Sequence, residues 1–596
     1  MPKRWRIRAH DPAAVAALER SARVPGVMAA LLVARGVTDA AAVKAFLAGT
    51  LADLHDPETL PGVPEAADRI LAAARAGRKI VVHGDYDADG MSATAILVGC
   101  LEALDAKPAW YVPDRFEEGY GLKSASLEAL AKDGADLVVT VDCGIRSLAE
   151  AARARELGLG LIVTDHHEFG AELPAADAVV HPRLPGGAYP FGDLCGAAVA
   201  FKLAWAIATR AAGSKQVTPR LREMLLRSIG LAALGTVTDV MPLVGENRIL
   251  VRHGLACLRQ KGGPGIEALV ELCKIADKKS LDSEDVAYKI GPRLNAAGRM
   301  GHAGHGVELL VTADTGRAAS LAEWLHERNA ERETVERSLQ LAATKQAREQ
   351  FDPDADAALV LADRGWHKGV IGIVAGRLVE RWHKPVVMIA RGTHEGCPAT
   401  GSVRGVPGVD VHAVVESCRH LLVTCGGHEA AAGLTIEDGR IDEFRAAFVA
   451  EVDRRLPPEA RRPQLTLDGE TSLAGLSREA VEQLEQLAPF GQGNRRPLLC
   501  ASGVTLAEPA RTIGASGKTL ALQVVQHGAR MRGVAFNSAE WLPHLPPPGQ
   551  PFHLAFRPKI NEFKGRRTAE LEIVDWRPEG VPVDADLPDL AVAAEA

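Results

Sequence analysis

The stretch VVHGDYDADGMSA, residues 81–93, decides how this chain folds and where it can carry out chemistry. It leads from a short β-rich run, through a turn flanked by Gly84 and Gly90, directly into a helical run. The turn carries one histidine and three carboxylates at alternate positions: His83, Asp85, Asp87 and Asp89. In open α/β sheets, ligands bind beyond the carboxyl ends of the strands. The stretch therefore predicts a ligand site at the edge of such a sheet.

Strands and helices continue to alternate on both sides of this turn. The predicted strands are KIVVHG (79–84), DLVVTV (136–141), LGLIVT (159–164) and DAVVHP (177–182), and the predicted helices between them are 91–104 and 147–157. Apolar strands separated by helices of this length indicate a parallel sheet with helices on both faces. A mostly helical segment is predicted over 194–300.

Acidic and histidine side chains also end the next two strands. Asp142 follows the second strand, and Asp165, His166 and His167 follow the third. Carboxylates brought together at one edge repel one another unless a cation neutralises them. Hard divalent ions such as Mg²⁺ and Mn²⁺ suit carboxylate ligands, and imidazole shifts the balance toward Mn²⁺. The sequence thus predicts a divalent metal centre, for which Asp239 is a further candidate.

Each of these features alone has an ordinary structural explanation. The turn at 84–90 is equally explained as a solvated, Asp-rich helix cap. The corresponding alternatives are that Asp142 caps a helix, that the histidine pair lies in the core or on the surface, and that Asp239 is a turn residue. The metal prediction depends on their occurrence together at the ends of three consecutive predicted strands.

Bulk composition limits the class of protein. A chain of 596 residues is too long for one hydrophobic core and predicts three or four domains. With 69 Lys and Arg against 76 Asp and Glu, contact with nucleic acid requires local basic patches. The nine scattered cysteines contain no Cys-x-x-Cys pair, which favours reduced thiols in a cytoplasmic protein. The basic N-terminus lacks the apolar run of a signal peptide, and the apolar stretch 194–208 is interrupted by Lys202, so no membrane span is predicted.

The pattern of apolar and polar residues changes twice in the second half of the chain. Residues 318–350 contain no Pro or Gly and predict one polar helix of roughly 50 Å that bridges two domains. The runs ALVLAD and PVVMIA, with a helix between them, predict a second α/β unit at 355–450. From residue 463, short alternating runs such as LALQVVQ and FHLAFRPKI predict a small antiparallel β-barrel. The last twenty residues are acidic and predict a loose tail.

Nine motifs carry a family resemblance. Four of them, in the expected order, resemble the DHH phosphoesterase superfamily: GDYDADG (84–90), VDCG (141–144), Asp165-His166-His167 and GTVTDVMPL (235–243). Five more resemble its RecJ-like nuclease family: GPRLNAAGRMG (291–301), GWHKGVIGIVAGRL (365–378), GSVRG (401–405), GGHEAAAG (426–433) and PFGQGN (489–494). The resemblance covers about residues 60–577. It departs at Arg495 and Arg496, where a Pro-x-Pro-like segment is expected, in a loop outside the metal motifs.

The resemblance implies an α/β fold with a parallel-sheet DHH domain, a long connecting helix, a second α/β DHH-associated domain and an OB-fold β-barrel. The implied divisions are an N-terminal helical cap at 1–60, the DHH catalytic domain at 61–313, the connecting helix at 314–350, the DHH-associated (DHHA1) domain at 351–455, the OB-fold at 463–577 and a tail at 578–596. The cap is expected to cover the domain that follows it.

The resemblance also implies a two-metal exonuclease that degrades single-stranded DNA from the 5′ end to 5′-mononucleotides, in DNA repair and recombination. Two divalent ions are implied, Mn²⁺ in preference to Mg²⁺. One is held by His83, Asp87 and Asp142, and the other by Asp89, Asp142, His166 and Asp239. Asp85 is expected to orient the loop or a metal-bound water, and His167 to contact the scissile phosphate.

Candidate substrate-binding residues lie outside the metal motifs. Ser402, Arg404 and His428 are predicted to hold a 5′-phosphate in glycine-rich loops, with ordinary glycine loops as the alternative. The remaining candidates are Arg293, Asn295, Arg299, Trp366 and His367. The first three are predicted to line the strand path, unless one of the arginines forms a buried salt bridge. Trp366 and His367 are predicted to close over the site, unless Trp366 packs in the domain core.

The barrel segment FRPKINEFKGRR (556–567) combines basic and aromatic residues. They are Phe556, Arg557, Lys559, Phe563, Lys564, Arg566 and Arg567. This pattern fits backbone tracking with base stacking on an OB-fold, and a solvated surface is the alternative.

The implied partners are single-stranded DNA, a RecQ-type helicase and single-stranded DNA-binding protein, with no membrane and a monomeric state. One alternative is another DHH phosphodiesterase that acts on short oligonucleotides, cyclic dinucleotides or pyrophosphate, which the length, the barrel and the five further motifs disfavour. A second alternative is a non-catalytic DHH replication scaffold, which the complete set of metal-ligand candidates disfavours. A single-strand binder that uses the barrel alone leaves the acidic cluster unexplained.

Overall fold

The computed structural model of the protein describes residues 3–115, 117–352, 355–392, 394, 397–563 and 565–581. Lys564 and residues 582–596 of the predicted tail lie outside the described residues. Among the helices of the described ranges, none is both long enough and apolar enough to cross a membrane. The elements follow in chain order.

The N-terminal segment holds one strand and three short helices. They are β1 (Arg4–Ile7), α1 (Pro12–Ala22), α2 (Gly26–Val33) and α3 (Ala40–Ala48). Asp11 and Asp39 cap α1 and α3, since their carboxylates accept hydrogen bonds from backbone N–H groups in the first helical turn. Two short 3₁₀ turns then lead into α4 (Val63–Arg75).

A five-stranded parallel sheet forms the centre of the first α/β domain. Its elements are β2 (Ile80–His83), α5 (Ala88–Ala103), β3 (Ala109–Tyr111), α6 (Ser124–Lys132), β4 (Leu137–Val141), α7 (Leu148–Glu156), β5 (Gly160–Thr164) and β6 (Ala178–Val180). The strand order is β3-β2-β4-β5-β6, and every pairing is parallel. The predicted parallel sheet is confirmed, and β3 is an edge strand that the sequence prediction lacked. All residues of β2 and β4 are buried, as strands covered by helices on both faces must be.

Helices complete this domain. They are α8 (Gly196–Ala212), α9 (Pro219–Thr238), α10 (Gly245–Lys261), α11 (Pro264–Leu272), α12 (Ser283–Asp285), α13 (Gly291–Met300) and α14 (Gly304–Val311). A π-helical turn, Val286–Ile290, joins α12 to α13. Ile96 of α5, Val199 of α8 and Leu234 of α9 belong to one buried apolar cluster. This cluster fixes α5, and with it the acidic turn at its start.

The predicted connecting helix is confirmed as α15 (Thr315–Gln350), whose 36 residues span about 54 Å at 1.5 Å per residue. It is not polar on every side. Leu321 and Leu325 join the core of the first domain, and Leu339 joins an apolar cluster of the second. The helix therefore packs against both domains that it links.

The second α/β domain has a mixed sheet. Its elements are β7 (Leu359–Asp363), α16 (Ile371–Trp382), β8 (Val386–Ala390), β9 (Ala399–Arg404), α17 (Val411–Ser417), β10 (Thr424–His428), β11 (Ala431–Ile436) and α18 (Ile441–Arg455). The order is β10-β11-β9-β8-β7, with only β7 and β8 parallel. Ser402 and Arg404 lie on β9, and the segment 426–433 forms the β10–β11 hairpin. The prediction of glycine loops was therefore wrong, because composition does not reveal the long-range strand pairing that glycine-rich strands achieve here.

The C-terminal elements form the predicted β-barrel. They are β12 (Gln464–Leu467), β13 (Gly469–Glu470), α19 (Arg478–Glu485), β14 (Leu499–Leu506), β15 (Arg511–Ile513), β16 (Thr519–Gln526), β17 (Ala529–Ala535), β18 (Phe552–Phe563) and β19 (Arg566–Pro578). The order β14-β18-β19-β17-β16 is closed by a further pairing between β14 and β16. These pairings are antiparallel as predicted, except that β17 and β19 pair in parallel. Phe556 is fully buried in the barrel core, so its predicted role in base stacking was wrong. Its position on β18 points it inward with Phe552 and Leu554.

The N-terminal helices pack mainly against this barrel and not on the domain that follows them in sequence. Leu18, Met28 and Leu31 share an apolar cluster with barrel residues, and β1 pairs in parallel with β12. Among the described residues, contacts with the first domain come from the end of the segment, for example where Nε2 of His253 lies 2.9 Å from the Gly49 carbonyl. We expected this segment to cap the domain that follows it, but its helices cover the barrel instead. Proximity in sequence does not specify which surface a short amphipathic helix covers.

One arginine joins three parts of the chain. Arg248 of α10 is buried and donates hydrogen bonds to the carbonyls of Phe46 (2.9 Å), Leu487 (2.8 Å) and Ala488 (2.9 Å). Burial lowers its pKa to about 9. These bonds hold the N-terminal segment and the barrel domain against the first domain.

Candidate metal centre

The turn between β2 and α5 places four candidate ligands at the carboxyl edge of the parallel sheet. Oδ1 of Asp87 accepts hydrogen bonds from the backbone N–H groups of Asp89 (2.9 Å) and Gly90 (3.1 Å), so Asp87 caps α5. Gly90 is required here, because a Cβ on it would lie 2.6 Å from Cβ of Asp85. Within the described part of the chain, Nε2 of His83 and Oδ1 of Asp85 are buried without a hydrogen-bond partner.

Asp142, directly after β4, is held by a strained backbone and a close helix. Its φ of 61° lies in the left-handed region, which non-glycine residues adopt rarely and often at functional sites. Gly196 at the start of α8 admits this carboxylate, since a Cβ on that glycine would lie 2.5 Å from Cβ of Asp142. The same helix start donates from N–H of Gly196 (2.7 Å) and Ala197 (2.9 Å) to the carboxylate of Asp89. The N-terminus of α8 thus fixes Asp89 beside Asp142.

His166 is the point at which these carboxylates converge. Its Nε2 lies 3.0 Å from Oδ1 of Asp142, 3.6 Å from Oδ2 of Asp239 and 3.9 Å from Oδ2 of Asp89. Among the described residues, neither Nε2 of His166 nor Oδ1 of Asp142 has a hydrogen-bond partner of acceptable geometry, although both are buried. Buried polar atoms that face one another without such bonds are explained by a shared cation.

Three sets of described residues bring one ligand atom each to within 4.8 Å of one another. They are Asp142, His166 and His167; Asp89, His166 and Asp239; and Asp85, Asp87 and Asp142. The second and third sets share the edge of the sheet through the Asp142–His166 contact. His83 is in none of the three sets, but its unpartnered Nε2 is buried at the end of the neighbouring strand. The second set, with two carboxylates and one imidazole, and the third, with three carboxylates, suit Mn²⁺ and Mg²⁺.

Without a bound cation, burying this many ionised carboxylates together is electrostatically unfavourable. Burial first, and then the neighbouring carboxylates, raise the pKa of Asp142 well above its usual range and that of Asp239 to about 8. Burial also lowers the pKa of His83 and of His166 to about 4 each. Both imidazoles are therefore neutral at physiological pH, which is the form that binds metals. The donor set fits one or more divalent cations.

His167 has a different environment from His166. Its Nδ1 lies 2.8 Å from Oδ1 of Asp165 and 3.1 Å from the Tyr120 hydroxyl. Burial acts to lower its pKa, but the hydrogen bond and charge of Asp165 outweigh burial and raise it to about 9. Asp165 is itself anchored, because its Oδ2 accepts a 3.0 Å hydrogen bond from N–H of Ile145. His167 is thus a fixed cation beside the centre, suited to an anion more than to a metal.

Two of the predicted 5′-phosphate residues, Ser402 and Arg404, meet at the start of α16. Nη1 of Arg404 donates to Oγ of Ser402 at 3.1 Å, and a Cβ on Gly372 would lie 2.9 Å from both side chains. A helix N-terminus with an arginine and a hydroxyl is suited to phosphate. His428 lies on the β10–β11 hairpin, with Nδ1 3.5 Å from Oε2 of Glu168 in the first domain.

Three other candidates lie at the junction of the two domains or against the acidic turn. Arg299 reaches the second domain, where its Nη1 donates to the Gly369 carbonyl at 3.2 Å; burial, then Arg115, lower its pKa to about 10. His367 also lies at this junction, and its Nδ1 accepts from N–H of Gly369 at 3.2 Å. Asn295 accepts from N–H of Ala88 at 2.8 Å and so orients the acidic turn.

The remaining two predicted substrate contacts lie away from the cleft. Arg293 donates to the Lys289 carbonyl (2.6 Å) and to Nδ1 of His326 on α15 (3.1 Å), because its position on α13 faces the connecting helix. Trp366 is buried in an apolar cluster with Ile371, which agrees with the core alternative. Arg299 thus lies close enough to Asp87 and Arg404 to interact with both charges, whereas Arg293 contacts α15 and Trp366 packs in an apolar cluster.

Sequence reasoning missed two residues on the loop between β3 and α6. The Tyr120 hydroxyl lies 3.2 Å from the Asp142 carbonyl and also contacts His167. The Arg115 guanidinium lies 5.1 Å from the ring centroid of Tyr86 and acts electrostatically on both Arg299 and Arg404. The short run Ala-Trp-Tyr that forms β3 was the available signal, because recognising it as an edge strand would have placed the following loop at the metal edge.

The basic residues of the barrel are largely paired. Arg557 lies 2.8 Å from Glu572, Lys559 contacts the same carboxylate, and Arg567 lies 3.0 Å from Glu482. This arrangement favours the solvated-surface alternative over a basic track for DNA.

Comparison with known proteins places this geometry in context. Three family models match: the DHH family, N-terminal domain, at residues 79–235; the DHHA1 domain at 355–454; and the RecJ OB domain at 467–575. The single-stranded-DNA-specific exonuclease RecJ of Bacillus subtilis is 35% identical over 573 residues, which cover 96% of this chain and 70% of that protein.

Two solved structures resemble the whole chain. The crystal structure of RecJ in complex with Mn²⁺ from Thermus thermophilus has a TM-score of 0.81 and 33% identity, and the match covers 97% of this chain and 80% of that one. The structure of RecJ in complex with Mg²⁺ from the same organism has a TM-score of 0.75 and 32% identity, and the match covers 97% and 79%. Fold and sequence therefore agree along nearly the entire length.

Replacement of Gly196 by Ala tests whether the packing of α8 positions Asp142. The added Cβ would lie 2.5 Å from that of Asp142, so we expect Mn²⁺ affinity to fall by at least about tenfold while the fold persists. Titration followed by electron paramagnetic resonance measures binding, and circular dichroism monitors the fold. Gly99→Ala is the matched control, because a Cβ there meets nothing within 4 Å. Equal Mn²⁺ affinity in both variants would refute this account of the glycine.

Metal binding should release protons at neutral pH. Because the pKa of Asp239 is raised to about 8, this carboxyl is largely protonated at pH 7 and must lose its proton to bind an ion, and the raised pKa of Asp142 acts in the same direction. Affinity should therefore rise with pH up to about pH 8, by up to about tenfold per unit for each proton released. Calorimetry of Mn²⁺ binding in two buffers of different ionisation enthalpy counts the protons. Absence of release at pH 7, or affinity that falls with pH, would contradict the prediction.

Proposed function

This chain belongs to the RecJ family of single-stranded-DNA-specific exonucleases, and from that premise we propose that it hydrolyses single-stranded DNA from the 5′ end to 5′-mononucleotides, in DNA repair and recombination. The convergence of Asp89, Asp142 and Asp239 on Nε2 of His166 is the observation that carries the proposal. Such a centre is suited to phosphodiester hydrolysis without a protein nucleophile.

We assign two divalent ions to this edge, Mn²⁺ in preference to Mg²⁺. His83, Asp87 and Asp142 would hold one, and Asp89, Asp142, His166 and Asp239 the other, so Asp142 would serve both. The unpartnered buried atoms of His83, Asp142 and His166 support the assignment, as do the Mn²⁺ and Mg²⁺ complexes of the Thermus thermophilus protein. When bound, such ions lower the pKa of water, neutralise phosphate oxygens and stabilise the leaving 3′-oxygen. Asp85, whose carboxylate belongs to the Asp87–Asp142 set, would orient the turn or a water.

His167 would bind the scissile phosphate. Asp165 keeps its imidazole protonated at neutral pH and fixes it through Nδ1, which leaves Nε2 as a second donor for a non-bridging oxygen. The Tyr120 hydroxyl at 3.1 Å from the same Nδ1 further restrains the ring. Because the charge is in place before the substrate arrives, it stabilises negative charge that develops in the transition state.

The second domain would hold the 5′ end. Ser402 and Arg404 beside the start of α16, with His428 on the hairpin, form a phosphate-binding surface. His428 lies 3.5 Å from Glu168, the residue after His167, so this surface faces the metal centre. A fixed 5′-phosphate opposite the metals would permit cleavage only near the end of the strand. Cleavage confined to the end would release mononucleotides. Arg299 bridges the two domains and would contact the strand between the sites.

The broader assignment rests on resemblance and on cysteine chemistry. A RecQ-type helicase and single-stranded DNA-binding protein are the proposed partners, and a monomer is the proposed state. All nine cysteines lie among the described residues and all are free thiols, which supports the reducing cytoplasm as the compartment.

Asp142→Asn should abolish turnover. Asparagine tolerates the left-handed backbone but removes the shared charge, so we expect the rate to fall by at least about 10³-fold with thermal stability equal to or above wild type. The assay is release of labelled mononucleotide from the 5′ end of single-stranded DNA with Mn²⁺. Asp133→Asn, at an exposed carboxylate paired with Lys79, is the control. Unchanged turnover in Asp142→Asn would contradict the proposal. If the wild-type protein cleaves a dinucleotide but not long strands, its substrate is that of another group of DHH enzymes.

Arg404→Ala should weaken recognition of the 5′-phosphate. Loss of a charge-assisted contact should lower the preference for 5′-phosphorylated over 5′-hydroxyl strands, expressed as the ratio of kcat/KM, by about tenfold to a hundredfold. Arg419→Ala removes an exposed arginine of the same domain that pairs with Glu416, and should leave the ratio unaltered. If both variants keep the wild-type ratio, the phosphate site lies elsewhere.

A further inference from the structure

His181 directly follows β6, an edge strand of the parallel sheet, and lies beside the loop formed by residues 165–167. Its side chain is fully buried, with Nε2 2.8 Å from the His167 carbonyl oxygen and Nδ1 3.0 Å from the backbone nitrogen of Arg183. The ring of Phe169 packs edge-on against it, with the ring centroids 5.1 Å apart. His181 is thus a buried polar side chain that belongs to neither the metal ligands nor the substrate contacts assigned above.

The two hydrogen bonds determine where the imidazole proton of His181 lies. A backbone N–H can only donate, so Nδ1 accepts from the N–H of Arg183 and carries no proton. Burial lowers the pKa of His181, so the ring is neutral at physiological pH. Its single proton is therefore on Nε2, which donates to the His167 carbonyl.

The loop at residues 165–167 forms neither helix nor strand, so its shape depends on contacts of this kind. At its start, the Asp165 N–H donates to the Val180 carbonyl at 3.1 Å. Oδ1 of Asp165 then accepts from the N–H groups of His166 (2.7 Å) and His167 (3.1 Å). Nε2 of His181 supplies a donor at the other end of the loop. The loop is thus held by Asp165 through its N–H groups and by His181 through its last carbonyl.

The position of this carbonyl matters for both histidines of the loop. The carbonyl carbon is bonded to Cα of His167, and the rings of His166 and His167 lie with their centroids 4.4 Å apart. Loss of the donor would leave the His167 carbonyl buried without its partner and allow the backbone to turn toward another. Such a movement would displace the ring of His167 and, with it, the adjoining His166, whose Nε2 lies 3.0 Å from Asp142.

We propose that His181 is a positioning residue, which orients His166 as a metal ligand and His167 toward the scissile phosphate through its hydrogen bond to the His167 carbonyl. The proposal rests on the exonuclease function proposed above and adds to it a residue that touches neither the ions nor the strand. Hydrogen-bond partners behind metal-binding groups contribute about 10- to 100-fold to metal affinity or activity. Strand β6 thereby contributes to the centre, together with β2, β4 and β5, whose ends carry the candidate ligands.

His181→Met and His181→Gln separate the hydrogen bond from the volume of the side chain. Methionine and glutamine have similar shapes, but only glutamine has an amide that can donate to the His167 carbonyl. In His181→Met we expect Mn²⁺ affinity and kcat on a 5′-phosphorylated oligonucleotide each to fall by about tenfold or more. KM should change little, because the second domain holds the 5′ end. In His181→Gln, Mn²⁺ affinity and kcat should stay within about threefold of the wild-type values.

His253→Met is the matched control. Nε2 of His253 also lies beside a backbone carbonyl, that of Gly49 at 2.9 Å, at the contact between α10 and the N-terminal segment. This variant should keep the wild-type Mn²⁺ affinity and kcat. Titration followed by electron paramagnetic resonance measures Mn²⁺ binding, and circular dichroism gives the fold and Tm of each variant.

Equal Mn²⁺ affinity and kcat in the two His181 variants would overturn the inference, whether both match the wild type or both are impaired. Loss of the fold in His181→Met, or a lower Tm with unaltered Mn²⁺ affinity and kcat, would also overturn it, because either result would restrict His181 to stability. Absence of turnover by the wild-type protein would instead reject the exonuclease function. The Mn²⁺ titrations of the two variants would still report on the position of His166.

Discussion

The burial of several carboxylates around one imidazole at the edge of a parallel sheet is the constraint on which the structure depends. Asp89, Asp142 and Asp239 all lie within 4 Å of Nε2 of His166, at distances of 3.9, 3.0 and 3.6 Å. Burial and mutual repulsion raise the pKa of each of these carboxyls. An arrangement that is unfavourable in the protein alone becomes favourable when a divalent cation neutralises it, and the surrounding elements are organised to hold it in place.

The scaffold supplies this support through backbone donors and close packing. The start of α8 donates two N–H groups to Asp89 and presents Gly196 to Asp142, so one helix terminus fixes two candidate ligands. The second domain is held relative to the first by a buried ion network. Glu336 of α15 is 1% exposed and contacts both Arg332 on its own helix and Arg377 on α16. Because the start of α16 also lies against Ser402 and Arg404 of the predicted phosphate surface, the connecting helix relates that surface to the metal edge.

Two of the described residues with a strained backbone lie at the metal edge. Asp142 and Val240 both adopt left-handed backbone conformations, and both lie at or next to candidate metal ligands. A folded core of this size can sustain such local strain, since each instance amounts to about 1–3 kcal/mol against the burial of a large apolar cluster. Stability has therefore been given up at the metal edge in favour of geometry, which is the usual relation between stability and activity.

The sequence by itself determined the parallel sheet, the connecting helix, the barrel and the residues at the strand ends, because hydrophobic periodicity and strand-end position are local properties of the chain. Tertiary structure decided which of the other candidates reach the cleft. Arg299 donates a hydrogen bond to Gly369 of the second domain, whereas Arg293 contacts α15. Tyr120, on the loop after an edge strand that was not predicted, contacts Asp142. It also buried Phe556 in the barrel and placed the N-terminal helices there. These outcomes depend on which surfaces pack together, and such long-range contacts leave little signal in a local stretch of sequence.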